Sequence, residues 1–271
     1  MLKPVKVDHA AFIDGAEHRN RLPSAYNSYS FIDCDPFFAP EIENAMLLLR
    51  PLFITAWLIA DYLLECYVFG AKQIILSSAS SKTAISLAYI LRNDARFRDL
   101  TVIGLTSVSN MQFVQQLRDC YSHVVPYSAI GDLPRCSTVF IDMAGNKSLR
   151  RQIHERFENY LKHSAVVGMT HWQQEGGNEV QSLPGVAPSI FFAPSRLAKR
   201  SSEVGMQAVF REIISSWWRF VPSVDSWMKI RFVHGSRMIV DEITRLAAGC
   251  VVPDQGIILA MEHGVGPSSS L

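Results

Sequence analysis

The chain has 271 residues, enough for one large or two smaller domains around a substantial core. Its 26 basic residues balance 25 acidic ones, which gives no electrostatic reason to expect a nucleic-acid partner or an anionic membrane surface. A 48% hydrophobic content excludes a disordered chain.

Residues 1–44 are polar, punctuated by proline and weakly patterned, and predict loops with short strands such as YSFID (29–33). The most membrane-like stretch, AMLLLRPLFITAWLIADYLLE (45–65), is interrupted by Arg50 and Asp61. The uncharged run left between them, 51–60, is too short for a span. It predicts instead a buried helix entering at Pro51, covering 52–68 and stopped by Gly70. From there strand and helix periods alternate. KQIILSS (72–78) is an apolar strand, and 80–93 is a helix with Ala84, Leu87, Ala88 and Leu91 along one side. LTVIGLT (100–106) is followed by a helix over about 110–120, then HVVPY (123–127), STVFIDM (137–143) and a charged helix over 149–161. SAVVGMT (164–170) and PSIFFAP (188–194) are two further strands. Short apolar runs alternating with helices predict an α/β fold: a doubly wound, mainly parallel, Rossmann-like sheet covered on both faces. A long helix is expected over 196–220, broken by Pro222. It is followed by strand MKIRFVH (228–234), a helix over 236–248, a turn at 253–256 and strand IILAM (257–261).

The five cysteines, Cys34, Cys66, Cys120, Cys136 and Cys250, form no CxxC pair and predict reduced, mostly buried thiols in a cytoplasmic compartment. No basic-then-apolar leader opens the sequence. No cysteine cluster or three-ligand spacing suits zinc, so no metal is expected.

The turn SSASSKTA (77–84) carries the strongest chemical signal. A helix starting there exposes unpaired backbone N–H groups and a partial positive charge, to which Ser78, Ser80, Ser81 and Thr83 add hydroxyls and Lys82 a full charge. Such a turn suits a phosphate, although it lacks the glycines that let a backbone approach a pyrophosphate. The alternative is that Ser80 merely caps the helix and Lys82 points to solvent. A P-loop is excluded, because its two glycine positions hold Leu76 and Ser81, and no G-x-S-x-G elbow occurs. At the end of the next strand, Thr106, Ser107, Ser109 and Asn110 stand where NAD enzymes place an acidic residue for the ribose. Without a carboxylate before Asp119 a 2′-phosphate is not repelled, which favours NADP over NAD; alternatively, Ser109 caps the following helix.

In order and spacing, YNSY to FITAW, SASSKTA, STVFIDMAGN, SAVVGMT and SIFFAPSRL resemble a medium-chain dehydrogenase/reductase of the zinc-independent quinone-oxidoreductase-like branch. The wording of YNSY, LLRPLF, SSASSKTA and FFAP is similar to a subfamily known only as a domain of unknown function. The resemblance implies a remnant of a GroES-like substrate domain over 1–48, a dinucleotide-binding domain over 49–220, and a return segment over 221–271 that packs on the first domain. It implies cofactor contacts at Thr55, at Ser80–Thr83 in place of the glycine-rich turn, at Asp142 and Gly145, at Gly168 and Met169, and at Phe192. His171, just beyond that strand, would stand at the mouth of the cleft. Tyr26 and Tyr29, at the junction with the first domain, are weak candidates for a catalytic hydroxyl, and equally for packing residues. Lys199 and Arg200 would hold a ligand anion or, more simply, pair with Glu203 on a solvated face. Of Trp217 and Trp218, adjacent on a helix, one is expected to be exposed, as in a homodimer contact. The function expected is that of an NADP(H)-preferring oxidoreductase acting on a small-molecule substrate. The alternatives are a non-catalytic Rossmann-fold binding or interaction protein and a shortened reductase.

Overall fold

The computed structural model describes residues 2–22, 26–167, 183–250 and 252–261. Three antiparallel strands come first, β1 (Pro4–Val5), β2 (Ala11–Asp14) and β3 (Ser28–Ser30). The predicted strand at 29–33 is shorter because Ile32–Cys34 turns away. Six parallel strands form the main sheet: β4 (Gln73–Leu76), β5 (Thr101–Thr106), β6 (His123–Pro126), β7 (Thr138–Asp142), β8 (Leu161–Val166) and β9 (Ser189–Ile190). Their spatial order is β6-β5-β4-β7-β8-β9, so the winding reverses between β4 and β7. This is the doubly wound arrangement expected from the sequence.

The central strands are almost continuously apolar because both faces are covered. Ile74, Leu76, Val102, Val139 and Ile141 enter a core with α1 (Glu43–Glu65), α2 (Lys82–Asn93), α3 (Met111–Gln116) and α6 (Met206–Phe220). Ile75, Ile103, Leu105 and Phe140 point the other way, onto Leu149, Ile153 and Phe157 of α4 (Lys147–Phe157). α1 is long and apolar enough to cross a membrane by length and composition. Its Leu49, Phe53, Ala56, Leu58 and Leu63 are nevertheless fully buried by the packing of α2 and α6.

Several boundaries differ from the sequence reading, each for a packing reason. α1 starts at Glu43 rather than after Pro51, since Ala45, Met46 and Leu49 are buried and carry the helix through the proline. Thr55 Oγ1 bonds to the Pro51 carbonyl at 3.0 Å. α1 ends at Glu65, short of Val68. Tyr67, Val68 and Phe69 then take φ of 48, 50 and 53°, a left-handed turn that only Gly70 makes without strain. Phe69 is held there by stacking on His163, with centroids 4.1 Å apart and planes 6° apart. α3 is shorter than expected, because Val108–Asn110 forms a separate turn before it. Asn146 caps α4 by accepting from Leu149 N, and Leu161 already belongs to β8. The expected strand at 188–194 shrinks to two residues because α5 (Ala193–Val204) starts early. The expected helix over 196–220 is two helices, α5 and α6, parted at Gly205 with φ 87°. The chain closes with β10 (Lys229–His234), α7 (Ser236–Ala247) and β11 (Gln255–Ala260), whose two strands pair in parallel with each other. Among the cysteines only Cys120 is buried, and Cys34 and Cys250 are exposed, so the expectation of mostly buried thiols fails.

Gly104, inside β5, lets the turn after β4 lie directly on the strand. A Cβ there would sit 2.8 Å from Ala79 Cβ and 2.8 Å from Tyr121 Cδ1. Gly104→Val is expected to lower unfolding free energy by about 2 kcal/mol through overpacking, measured by urea denaturation. An unchanged midpoint would contradict this packing. His154 Nδ1 donates to the Pro184 carbonyl and Nε2 accepts from Ser164 Oγ, both at 3.0 Å. Burial pushes His154 and His163 below their ordinary value of 6.5. The unfolded chain protonates these residues first, so their stabilisation is complete above 6.5 and is lost as the pH falls through the lower folded values. Melting temperature is expected to drop below about pH 6.5, less steeply in His154→Gln.

Candidate functional site

In a sheet wound in two directions, the crevice lies beyond the carboxyl ends of the strands where the winding reverses. Here that point is the gap between β4 and β7. Ser77 follows β4 and Asp142 ends β7, both wholly buried, and the Ser77 hydroxyl donates to Asp142 Oδ1 at 3.0 Å. Ser77 Oγ accepts from Met143 N at 2.8 Å, and Asp142 Oδ1 accepts from Ala144 N at 3.2 Å and Gly145 N at 3.0 Å. Arg150 Nε of α4 lies 3.7 Å from Asp142 Oδ2 and balances the buried charge. Asp142 and Gly145 thus lie at the carboxyl end of β7, where the winding reverses. The carboxylate there organises its own turn, and Gly145 accommodates φ 67° within it.

The turn from β4 to α2 contains no glycine and is held by side chains. Ser78 takes the left-handed conformation, φ 48°, and its N–H donates to the Tyr127 hydroxyl at 3.1 Å. The Ser78 carbonyl accepts from Ser81 N at 2.7 Å. The Tyr121 hydroxyl donates to the Ala79 carbonyl at 2.8 Å, and Asn110 Nδ2 donates to Ser80 Oγ at 3.0 Å. Side chains from just beyond β5 (Asn110), from just before β6 (Tyr121) and from just after it (Tyr127) therefore hold Ser80, Ala79 and Ser78. Ser81, not Ser80, caps α2, accepting from Ala84 N at 3.3 Å. The N–H groups of Lys82 and Thr83 have no protein acceptor among the described residues and remain available to an anion.

Of Ser80, Ser81, Lys82 and Thr83 on one side and Thr106, Ser107 and Asn110 on the other, Ser80 and Asn110 are in contact, at the carboxyl ends of the paired strands β4 and β5. Thr106 is buried, and Ser107 pairs hydroxyls with Ser109 at 2.8 Å, so Ser109 does not cap α3. Lys82 Nζ donates to the Gln255 carbonyl at 2.8 Å rather than projecting into solvent. Phe192 lies at the same sheet edge, half-exposed, at the start of α5. Thr55 lies within α1, half-buried, with its hydroxyl on Pro51. Tyr26 is exposed and Tyr29 stacks on Phe12 at 5.1 Å in the N-terminal sheet; neither hydroxyl forms a hydrogen bond among the described residues. Gly168, Met169 and His171 lie outside the described residues. Lys199 and Arg200 pair with Glu203 at 3.7 and 3.5 Å, and both also reach α1, where Arg200 lies 3.2 Å from Asp61. Trp217 is buried and Trp218 is half-exposed. Sequence reasoning missed Ser77, Tyr121, Tyr127, Arg150 and Gln255. A glycine in the middle of the LTVIGLT strand was the one local sign of a close approach to the turn.

A Mesorhizobium loti protein assigned provisionally as an NADPH:quinone reductase has a similar structure, with TM-score 0.57 and 11% identity over 92% of this chain and 70% of that one. CurK enoyl reductase matches with TM-score 0.55 and 12% identity over 88% of this chain and 66% of that one. An alcohol dehydrogenase from E. coli CFT073, complexed with NADH, matches with TM-score 0.50 and 10% identity, covering 88% and 63%. The chain spans 63–70% of the length of these proteins, and at such identities the likeness is one of fold. No curated protein matches the sequence. A family model matches residues 1–252, nearly the whole chain, and the chain belongs to that family, described as a protein of unknown function, DUF2855.

Proposed function

We propose that this chain is an NADP(H)-preferring oxidoreductase of the zinc-independent medium-chain reductase type, working on a small carbonyl or an activated double bond. The observation that carries the reading is the set of donors at the carboxyl edge of the sheet, where the winding reverses. Two free N–H groups and the Lys82 ammonium stand at the first turn of α2, next to a β5 end that has hydroxyl and amide groups and no carboxylate. The donor set fits a diphosphate at α2 and a 2′-phosphate beside Ser107 and Asn110. NADPH, when bound, supplies the hydride. The chain's residues supply position and charge: the α2 turn holds the diphosphate, and the bonded turns at Ser78 and Asp142 keep that edge rigid. In this reading residues 49–220 form the dinucleotide-binding unit, with 1–48 and 221–271 as flanking parts of a substrate-facing wall. The fold likeness to a reductase assigned as NADPH-dependent supports the cofactor choice.

A second reading, a Rossmann-fold binding protein without catalysis, is favoured by the absent glycines and by the engagement of Lys82 with Gln255. Titration with NADPH, followed by cofactor fluorescence and protein melting, separates the two. Saturable binding, tighter for NADPH than NADH and weakened about tenfold by Lys82→Met, is the expected result. No binding at about millimolar cofactor sinks the oxidoreductase reading.

Affinity is also expected to depend on pH. Burial holds the Lys82 ammonium below its usual 10.5. Phosphate binding needs the charged form, so NADPH affinity should fall on raising the pH before 10.5 is reached, and Lys82→Arg should remove that fall.

A further inference from the structure

Among the described residues, the C-terminal segment meets the α2 turn through a hydrogen bond from Lys82 Nζ to the Gln255 carbonyl, across 173 positions of sequence. Gln255 opens β11, and the next residue is pressed into place. A Cβ on Gly256 would lie 2.5 Å from Leu48 Cδ1 of α1 and 2.9 Å from Ile230 Cδ1 of β10. β11 therefore seats on α1 by direct backbone approach, and that seating places its first carbonyl on Lys82. Asp254, one residue earlier, attracts the ammonium and is itself paired with Lys229 at 3.3 Å.

An ammonium has three donors. Among the described residues the Gln255 carbonyl is the hydrogen-bond acceptor given to Lys82, and burial outweighs the attraction of Asp254. An anion at the first turn of α2 would satisfy donors still free and compensate the charge without displacing Gln255. Anion binding and the seating of β11 then favour the same placement of Lys82.

We propose that the β10–α7–β11 unit completes the dinucleotide-phosphate site by positioning Lys82 through the Gln255 carbonyl, so that occupancy of the site and seating of β11 on α1 are coupled. This rests on the dinucleotide reading above. Coupling of two equilibria is reciprocal: the ligand must tighten β11, and loosening β11 must weaken the ligand.

The test uses the full chain with NADPH as probe, hydrogen exchange of Gln255–Ala260 as one readout and cofactor affinity as the other. Gly256→Val unseats β11 without touching a phosphate-binding group. The expected results are slower β11 exchange in wild-type protein on adding NADPH, and an affinity lowered about fivefold or more in Gly256→Val. The amides of β4, β5 and β7 should remain protected in that variant. Without ligand, Lys82→Met should speed β11 exchange. Wild-type binding with unchanged β11 exchange, or equal affinity in wild type and Gly256→Val, overturns the coupling alone. Failure of wild-type protein to bind NADPH overturns it together with the dinucleotide reading. If Gly256→Val does not fold, the ligand-dependent protection of wild-type β11 decides.

Discussion

The bond between Ser77 and Asp142 extends the pairing of β4 and β7 one step beyond their backbone ladder, at the point where the winding reverses. It spans 65 residues of sequence and is fully buried, with Oδ1 also gathering the N–H groups of Ala144 and Gly145. In a dry setting an acceptor that loses its donors costs about 1–3 kcal/mol, so this small network is costly to disturb. The guanidinium of Arg150 keeps the buried carboxylate from standing alone. The 143–145 turn takes its position from this tie, while the α2 turn starts beside it and is held by side chains of its own.

That edge combines a rigid frame with open donors. A glycine-rich turn reaches a pyrophosphate by bringing bare backbone close. Here Ser78 adopts the unusual φ, and the phenols of Tyr121 and Tyr127 with the amide of Asn110 pin successive residues of the turn. The glycine has moved to the opposite partner, Gly104, which gives Ala79 room to lie on β5. Preorganisation by side chains replaces backbone freedom, and an anion meeting this turn has little ordering cost left to meet.

The sheet was legible because its strands are short apolar runs buried on both faces, as in QIIL and TVFID. Helix ends were less legible, since burial of Ala45 and Met46 outweighs the local signal of Pro51, and Gly205 parts a pattern that reads as one helix. The left-handed residues Tyr67–Phe69 carry no mark at all, because their conformation is imposed by the stack of Phe69 on His163, almost a hundred positions away. At the site, the hydroxyl cluster 80–83 and Asn110 stood out by composition. Tyr127 and Gln255 did not, because their roles depend on partners 49 and 173 positions distant.

The elbow at Tyr67–Gly70 has one more bearing on the whole. With Cys66, Ala71 and Lys72 it is the entire connection between the buried helix α1 and β4, and its two middle residues, Val68 and Phe69, pack into the core. Side chains along β4 alternate between two separate cores, Ile74 and Leu76 serving one and Ile75 the other. With Val68 buried in this link and Phe69 stacked on His163, the chain is delivered to β4 by a piece of the interior rather than by a surface loop.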